Sequence, residues 1–194
     1  MARPKSEDKR NAILAAAIAV FAEKGIWSTP TSAISRAADV AEGTLFTYFS
    51  TKDGLLNELY RMLKLDLAGA LMADFPQTAS LRRKLYHIWE AYVNWGIANP
   101  LKLKVLNQLN VSDKITPETR AVGYAPFAEI ERLAVDSIQR KLVYDYPVSF
   151  IAAIFSNMAE TTMAAMADKA HSQGAGVDYC ASGFEVFWRG ITRT

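Results

Sequence analysis

A chain of 194 residues, 51% hydrophobic and 22% charged, fits one large or two small domains and can bury a substantial core. No apolar run approaches the ~20 residues that span a bilayer, and the N-terminus is charged, so a soluble, cytoplasmic protein without a membrane partner is expected. A single cysteine, Cys180, excludes an intramolecular disulfide framework. The net charge of +2 is too small to announce nucleic-acid binding by itself. It is local, however: residues 1–10 carry Arg3, Lys5, Lys9 and Arg10 against Glu7 and Asp8.

In chain order, residues 1–5 read as a flexible basic arm whose Arg3 and Lys5 suit phosphates. Ser6 to Lys24 reads as a helix with Ile13, Ala16, Ala17, Val20 and Phe21 on one face and Gly25 as its stop. Thr29-Pro30 reads as the next helix start, with the threonine oxygen as cap and proline in the first turn. Ala33, Ile34, Ala37 and Ala38 continue it. Asp39-Val40-Ala41 breaks the pattern, since Asp tolerates the left-handed backbone a tight turn needs. A second short helix, Glu42 to Phe49, turns Leu45 and Phe49 back toward the first and leaves Gly43, Thr44, Thr47 and Tyr48 outward. Ser50 to Asp53 has the spacing of a capping box.

From Lys52 to about Asp74 the leucines recur at three and four, which predicts one long helix with no linker before it. Helical segments then follow at Ser80–Ala98, Pro100–Asn110, and Thr116 to about Val143 with an irregularity at Gly123 and Pro126. Another runs from Pro147 to Lys169. Gly174 and Gly176 break the chain before a last helix ending near Trp188. No stretch alternates as a strand does, and no repeat is present. The expected fold is all-α: an N-terminal three-helix helix-turn-helix domain and a C-terminal bundle of five to six helices.

Two short helices at an angle, the second with small and hydroxyl-bearing residues outward, suit a DNA major groove. Gly43 permits close backbone approach, Thr44 and Thr47 offer a hydroxyl with a methyl, and Tyr48 offers a hydroxyl to phosphate. Lys52 sits where helix-end amides favour an anion. The plain alternative is the exposed face of an ordinary helical hairpin. Further on, Tyr86, Trp89 and Val93 share a helical stripe, with Tyr60, Phe127 and Phe155 on other segments. Periodicity alone makes these core. Phe150, Ile151, Ile154, Phe155 and Met158 on one helix, and Phe184, Phe187 and Trp188 on the last, give apolar surface on more than one face, which favours a four-helix homodimer interface.

Nothing points to catalysis. His87 and His171 are far apart, Cys180 lacks a His and acid arrangement, and no phosphate loop or HExxH motif occurs. Glu160 is the most notable isolated acid. No enzyme activity, cofactor or metal is expected.

The stretch GIWSTPTSAISRAADVAEGTLFTYFSTKDGLL resembles the N-terminal DNA-binding domain of TetR-family transcriptional regulators. MARPKSEDKR, VAEGTLF, YF, TKD, WGIANP and AETTM are similar to RamR-type members. The resemblance implies that Gly43, Thr44, Thr47, Tyr48, Thr31, Ser32 and Lys52 meet double-stranded DNA at a near-palindromic operator. It implies a pocket for a flat aromatic or steroidal effector at Tyr60, Trp89 and Phe155, to which Val93 of the same stripe and Phe127 are added as candidates. It also implies a boundary between a DNA-binding domain, 1–53, and a ligand-binding and dimerisation domain, 54–194, with release of a repressor from DNA on ligand binding through the helix from Lys52 to Asp74. The sequence departs from the family at Glu42, where Lys is common, and at Asp39, Ala41 and Ser32. Ala152 stands at an acidic pocket position. Glu42 is the best witness for the alternative, an all-α small-molecule binding protein whose head does not bind DNA.

Overall fold

The computed structural model describes residues 6–171 and 177–192, with side chains defined for all of these except 169–171. Arg3 and Lys5, and the break expected at Gly174 and Gly176, lie outside the described residues. Every regular element among them is helical: α1 (Glu7–Lys24), α2 (Thr31–Ala37), α3 (Glu42–Tyr48), α4 (Lys52–Met72), α5 (Leu81–Ala98), α6 (Pro100–Asn110), α7 (Pro117–Tyr124), a 3₁₀ turn (Ala125–Phe127), α8 (Ala128–Gln139), α9 (Val148–His171) and α10 (Tyr179–Ile191). The irregularity expected near Gly123 and Pro126 is that 3₁₀ turn. The fold is thus an N-terminal helix-turn-helix followed by a helical domain, and packing divides it into two compact units.

The first unit takes the residues up to 65 together with 99–125. Its centre is α1, which packs on α2 and on α6. Burial therefore spreads past the single face expected, taking in Leu14, Ile18 and Ala22 as well as Ile13, Ala17 and Phe21. Gly25, at φ +82°, ends α1 in a backbone region that other residues rarely enter. Thr29 does not cap α2: it is buried, and its hydroxyl donates to the Gly25 carbonyl at 2.7 Å, fastening the loop before α2 instead. Pro30 takes the capping position. The cap of α4 shifts by one residue from the expected box, with Thr51 Oγ1 accepting from Gly54 N–H at 2.9 Å. Across the unit, Glu58 of α4 pairs with Arg10 of α1 and with Arg61 at 2.6 Å, while Arg61 donates to Thr119 of α7 at 2.9 Å. One carboxylate thereby links three helices.

The second unit holds the end of α4, then α5, α8, α9 and α10. α9 packs against α10, α5 and α8. Asp178 caps α10, accepting from Ala181 N–H at 3.0 Å. The close approach of α10 to its neighbours depends on Gly183, where a Cβ would meet Thr162 Oγ1 and stand 2.9 Å from the Trp89 ring. By length and composition alone Val148–Asp168 of α9 is apolar enough to cross a membrane; alanines rather than leucines make it so, and Glu160 stands within it.

The Gly183→Ala variant is expected to lose about 1–3 kcal/mol of stability, because the added methyl overpacks a ring and a hydroxyl. Denaturant unfolding with an unchanged m-value would read this directly.

Candidate nucleic-acid interface and aromatic cluster

The surface of interest in the first unit begins at the turn after α2. Asp39 adopts φ +51°, the left-handed conformation expected of it, and Val40 N–H donates to the Ser35 carbonyl at 3.0 Å. That reversal brings α3 back onto α2, where Leu45 and Phe49 are buried at 0% and 6% exposure. The opposite face is then fixed by helical geometry: Gly43 and Thr47 are exposed, Thr44 and Tyr48 half-exposed. Beside it Ser32, Ser35, Arg36, Asp39, Val40, Ala41 and Glu42 line an open depression.

A side chain at Gly43 would touch nothing within 4 Å, and Gly43 has no positive φ. Nothing inside the protein requires glycine there, although glycine in a helix costs roughly 0.5–1 kcal/mol against alanine. Thr47 donates its hydroxyl proton to the Gly43 carbonyl at 2.9 Å, so it offers outward an acceptor oxygen and a methyl.

Several polar groups assigned to DNA by the sequence reading are engaged within the protein. The Tyr48 hydroxyl accepts from Ser6 N–H at 2.8 Å and anchors the start of α1. The Lys52 ammonium donates to the Thr29 carbonyl at 2.7 Å and lies 6.0 Å over the Phe21 ring, tying the first turn of α4 to the loop before α2. Burial lowers its pKa, against the raising effect of Asp53. Thr31 Oγ1 donates to Glu42 Oε1 at 2.9 Å, so the unexpected carboxylate joins the first residues of α2 and α3. Between residues 29 and 53, Arg36 and Lys52 stand against Asp39, Glu42 and Asp53, so the motif itself is slightly acidic. Sequence reasoning missed Phe46, 42% exposed on α3, and the exposed Arg36. The signal for Phe46 was available: with Leu45 and Phe49 inward at i and i+4, a neighbour one residue on must lie off that face.

The residues assigned to an effector fall into two groups. Trp89 and Phe155 do meet, edge to face at 5.4 Å, within a lattice in which Phe187 stacks on Trp89 at 5.8 Å and Phe184 lies at 6.2 Å. Trp89 is fully buried and its indole N–H donates to the Cys180 carbonyl at 3.0 Å. Val93 is buried one turn along α5, and Phe127 is half-buried in the 3₁₀ turn. Nearby, Tyr92 donates to Glu160 Oε1 at 3.3 Å, and burial together with that carboxylate pushes the Tyr92 phenol well up.

Tyr60 belongs to the first unit, where it is fully buried. Its hydroxyl has no hydrogen bond of normal geometry, although Tyr124 and Arg120 both bear on its acidity, and burial raises its pKa strongly. Lys64, one turn on, is 7% exposed, with its ammonium 4.1 Å from the centre of the Tyr124 ring. Burial, and then the Arg120 charge, lower its pKa to about 8. Among the described residues no group of three or more His, Cys, Asp and Glu side chains is placed to hold a metal ion. Burial raises the Cys180 thiol above its ordinary pKa.

Residues 13–59 match the family described as bacterial regulatory proteins, tetR family. The matched stretch covers the helix-turn-helix, and the described chain shares its fold with solved structures described as regulators of that family. A TetR family transcription regulator from Marinobacter aquaeolei VT8 superposes with a TM-score of 0.84 at 20% identity, over 97% of both chains. The TetR-like regulator LfrR from Mycobacterium smegmatis, solved in complex with proflavine, superposes at 0.65 and 19% identity, over 97% of this chain and 99% of that one. At those identities the likeness is one of fold. The fatty acid metabolism regulator protein of Bacillus subtilis is 27% identical over 99 residues, 51% of this chain and 50% of that protein. The chain spans about half the length of the curated relatives it matches.

Lys64 supplies a test of the first unit. Its folded pKa of about 8 lies below its ordinary 10.5, so between those values the unfolded chain binds more protons and stability rises with pH. Below pH 8 the buried charge is a standing cost. Lys64→Met is expected to raise the melting temperature at pH 7 and to lose that advantage as pH climbs from 8 toward 10. Thermal melts across that range check it.

Proposed function

We propose that this chain is a DNA-binding transcriptional regulator of the tetR family, a homodimer that represses by occupying a near-palindromic operator and is released by a small hydrophobic or aromatic effector. The observation that carries the DNA reading is Gly43. An exposed glycine in a short helix, costly to that helix and unneeded by any neighbour, makes sense where another molecule's backbone must approach closely. Thr44 and Thr47 beside it read base edges, Phe46 meets thymine methyls, and Thr31, Ser32 and Arg36 approach from α2. Tyr48 and Lys52 act first by holding α3 and α4 in place at the edge of the surface that meets phosphate. Arg3 and Lys5 supply the charge that the motif lacks. Functionally, residues 1–53 form the DNA-binding domain and 54–194 the effector and dimer domain, joined through α4.

The dimer reading rests on α9 and α10, which leave Phe150 and Val186 49% and 63% exposed along an apolar surface. The effector reading rests on the ring lattice around Trp89 and Phe155 in the second unit, with Val93 and Phe127, and on the proflavine held by LfrR. An effector shifts the population toward a form that does not fit DNA by no more than its differential affinity for that form. The acidic balance of residues 29–53 favours a second reading, an all-α small-molecule binding protein with a silent head. A mobility shift on DNA upstream of the coding region, titrated with salt, separates the two: the regulator binds and weakens steeply with salt, the silent head does not bind.

Two variants sharpen this. Gly43→Ala is expected to stabilise the fold by about 0.5–1 kcal/mol while weakening operator binding roughly tenfold or more. Opposite signs in melting and mobility-shift assays are the signature, and unchanged affinity refutes the docking of α3. Val186→Asp, at an exposed site, is expected to leave helicity intact and to convert a dimer into a monomer by light scattering.

A further inference from the structure

Resting on the DNA-binding reading above, we propose that Glu42 is a specificity-determining residue. Its carboxylate accepts from the amino group of a cytosine in the major groove and so fixes one C·G pair in each half of the operator. Glu42 differs from Thr44, Thr47 and Phe46 on the same short helix in that its carboxylate only accepts hydrogen bonds and carries a charge.

Position, orientation and charge each support this. Glu42 is exposed in the first turn of α3, one residue before Gly43 and one turn before Phe46, so it shares the outward face. In helix-turn-helix proteins the first residues of the second helix are those that meet base edges. Its direction is set from α2: Thr31, the first residue of that helix, donates to Glu42 Oε1 at 2.9 Å. A carboxylate has about four lone-pair sites, so Oε2 and the rest of Oε1 remain to accept from a partner. No cation neutralises it. Arg36 lines the same open depression, yet Glu42 forms no ion pair among the described residues, and the hydroxyl that holds it is neutral.

A carboxylate at a surface that meets phosphates weakens binding to every duplex unless a donor offsets the repulsion. Two bases offer such a donor in the major groove. Cytosine presents its N4 amino group alone, whereas adenine sets N6 beside the N7 acceptor, which opposes a carboxylate. Guanine presents O6 and N7, and thymine presents O4, all of them acceptors. One side chain thus selects cytosine by the bond it makes and rejects the other bases by the lone pairs it meets.

The test uses the full chain and a library of random duplexes, enriched by binding at moderate salt and then sequenced. Wild type should enrich a two-fold motif with cytosine at one position of each half. Glu42→Ala should lose roughly tenfold of that preference at this position and keep the others. Glu42→Gln should turn the same position to adenine and Glu42→Lys to guanine, since an amide pairs with N6 and N7 and an ammonium with O6 and N7. Thr31→Val should blunt the cytosine preference without creating another, because the carboxylate remains but is no longer oriented. Melting curves should lie close to wild type, as Glu42 is exposed and Thr31 half-exposed. A motif unchanged in Glu42→Ala overturns the assignment and leaves DNA binding standing, as does a loss of affinity spread evenly over all sequences. A wild type that enriches no motif and shows no salt-sensitive shift overturns the DNA-binding reading and this one with it.

Discussion

The outward face of α3 exists because its inward face is buried. Seven residues do not hold a helix in water: nucleation is unfavourable, and so short a run makes too few hydrogen bonds to repay it. Leu45 and Phe49, buried against the first unit, provide what the backbone alone lacks, each contributing on the order of 1.5–3 kcal/mol. Their spacing fixes the rotation of the helix, and that rotation sends Gly43, Thr44 and Thr47 to the surface. The left-handed backbone of Asp39 makes the reversal tight enough for the burial to occur.

Around that helix the polar groups serve as ties. Tyr48 holds the first residue before α1, Lys52 holds the carbonyl before α2, and Glu42 holds the hydroxyl that opens α2. Each connects segments that hydrophobic contact alone would leave free to slide. The head is consequently rigid in its polar chemistry and modest in its charge. On the DNA-binding reading proposed above, such a surface recognises its partner by fit more than by long-range attraction, with the small residue at position 43 at the centre of the contact.

Elsewhere the two units solve different packing problems. In the second unit the rings of Trp89, Phe155, Phe184 and Phe187 interlock edge to face and by stacking, and Gly183 lets the backbone of α10 approach them. In the first, Gly123 plays the same part beside Tyr60, but there the crowding encloses an amine and a phenol that water would otherwise solvate. Burying polar atoms in this way is costly.

Periodicity determined most of what the chain does locally. Leucines at three and four predict α4, Leu45 and Phe49 predict the seating of α3, Gly25 ends α1, and Asp39 turns the chain, because each depends on neighbours within one or two turns. The all-helical fold and its helix-turn-helix head were legible for the same reason. What tertiary structure decided is where the long side chains go. Thr29 caps Gly25's carbonyl rather than α2, Lys52 reaches a carbonyl twenty-three residues away, and the neighbours of Lys64 that lower its pKa come from α7. Periodicity left open, too, how Trp89 is seated: rings cover it, and its indole N–H donates to the Cys180 carbonyl. Hydrogen bonds and desolvation act between atoms brought together only by folding, and no spacing along the chain encodes that meeting.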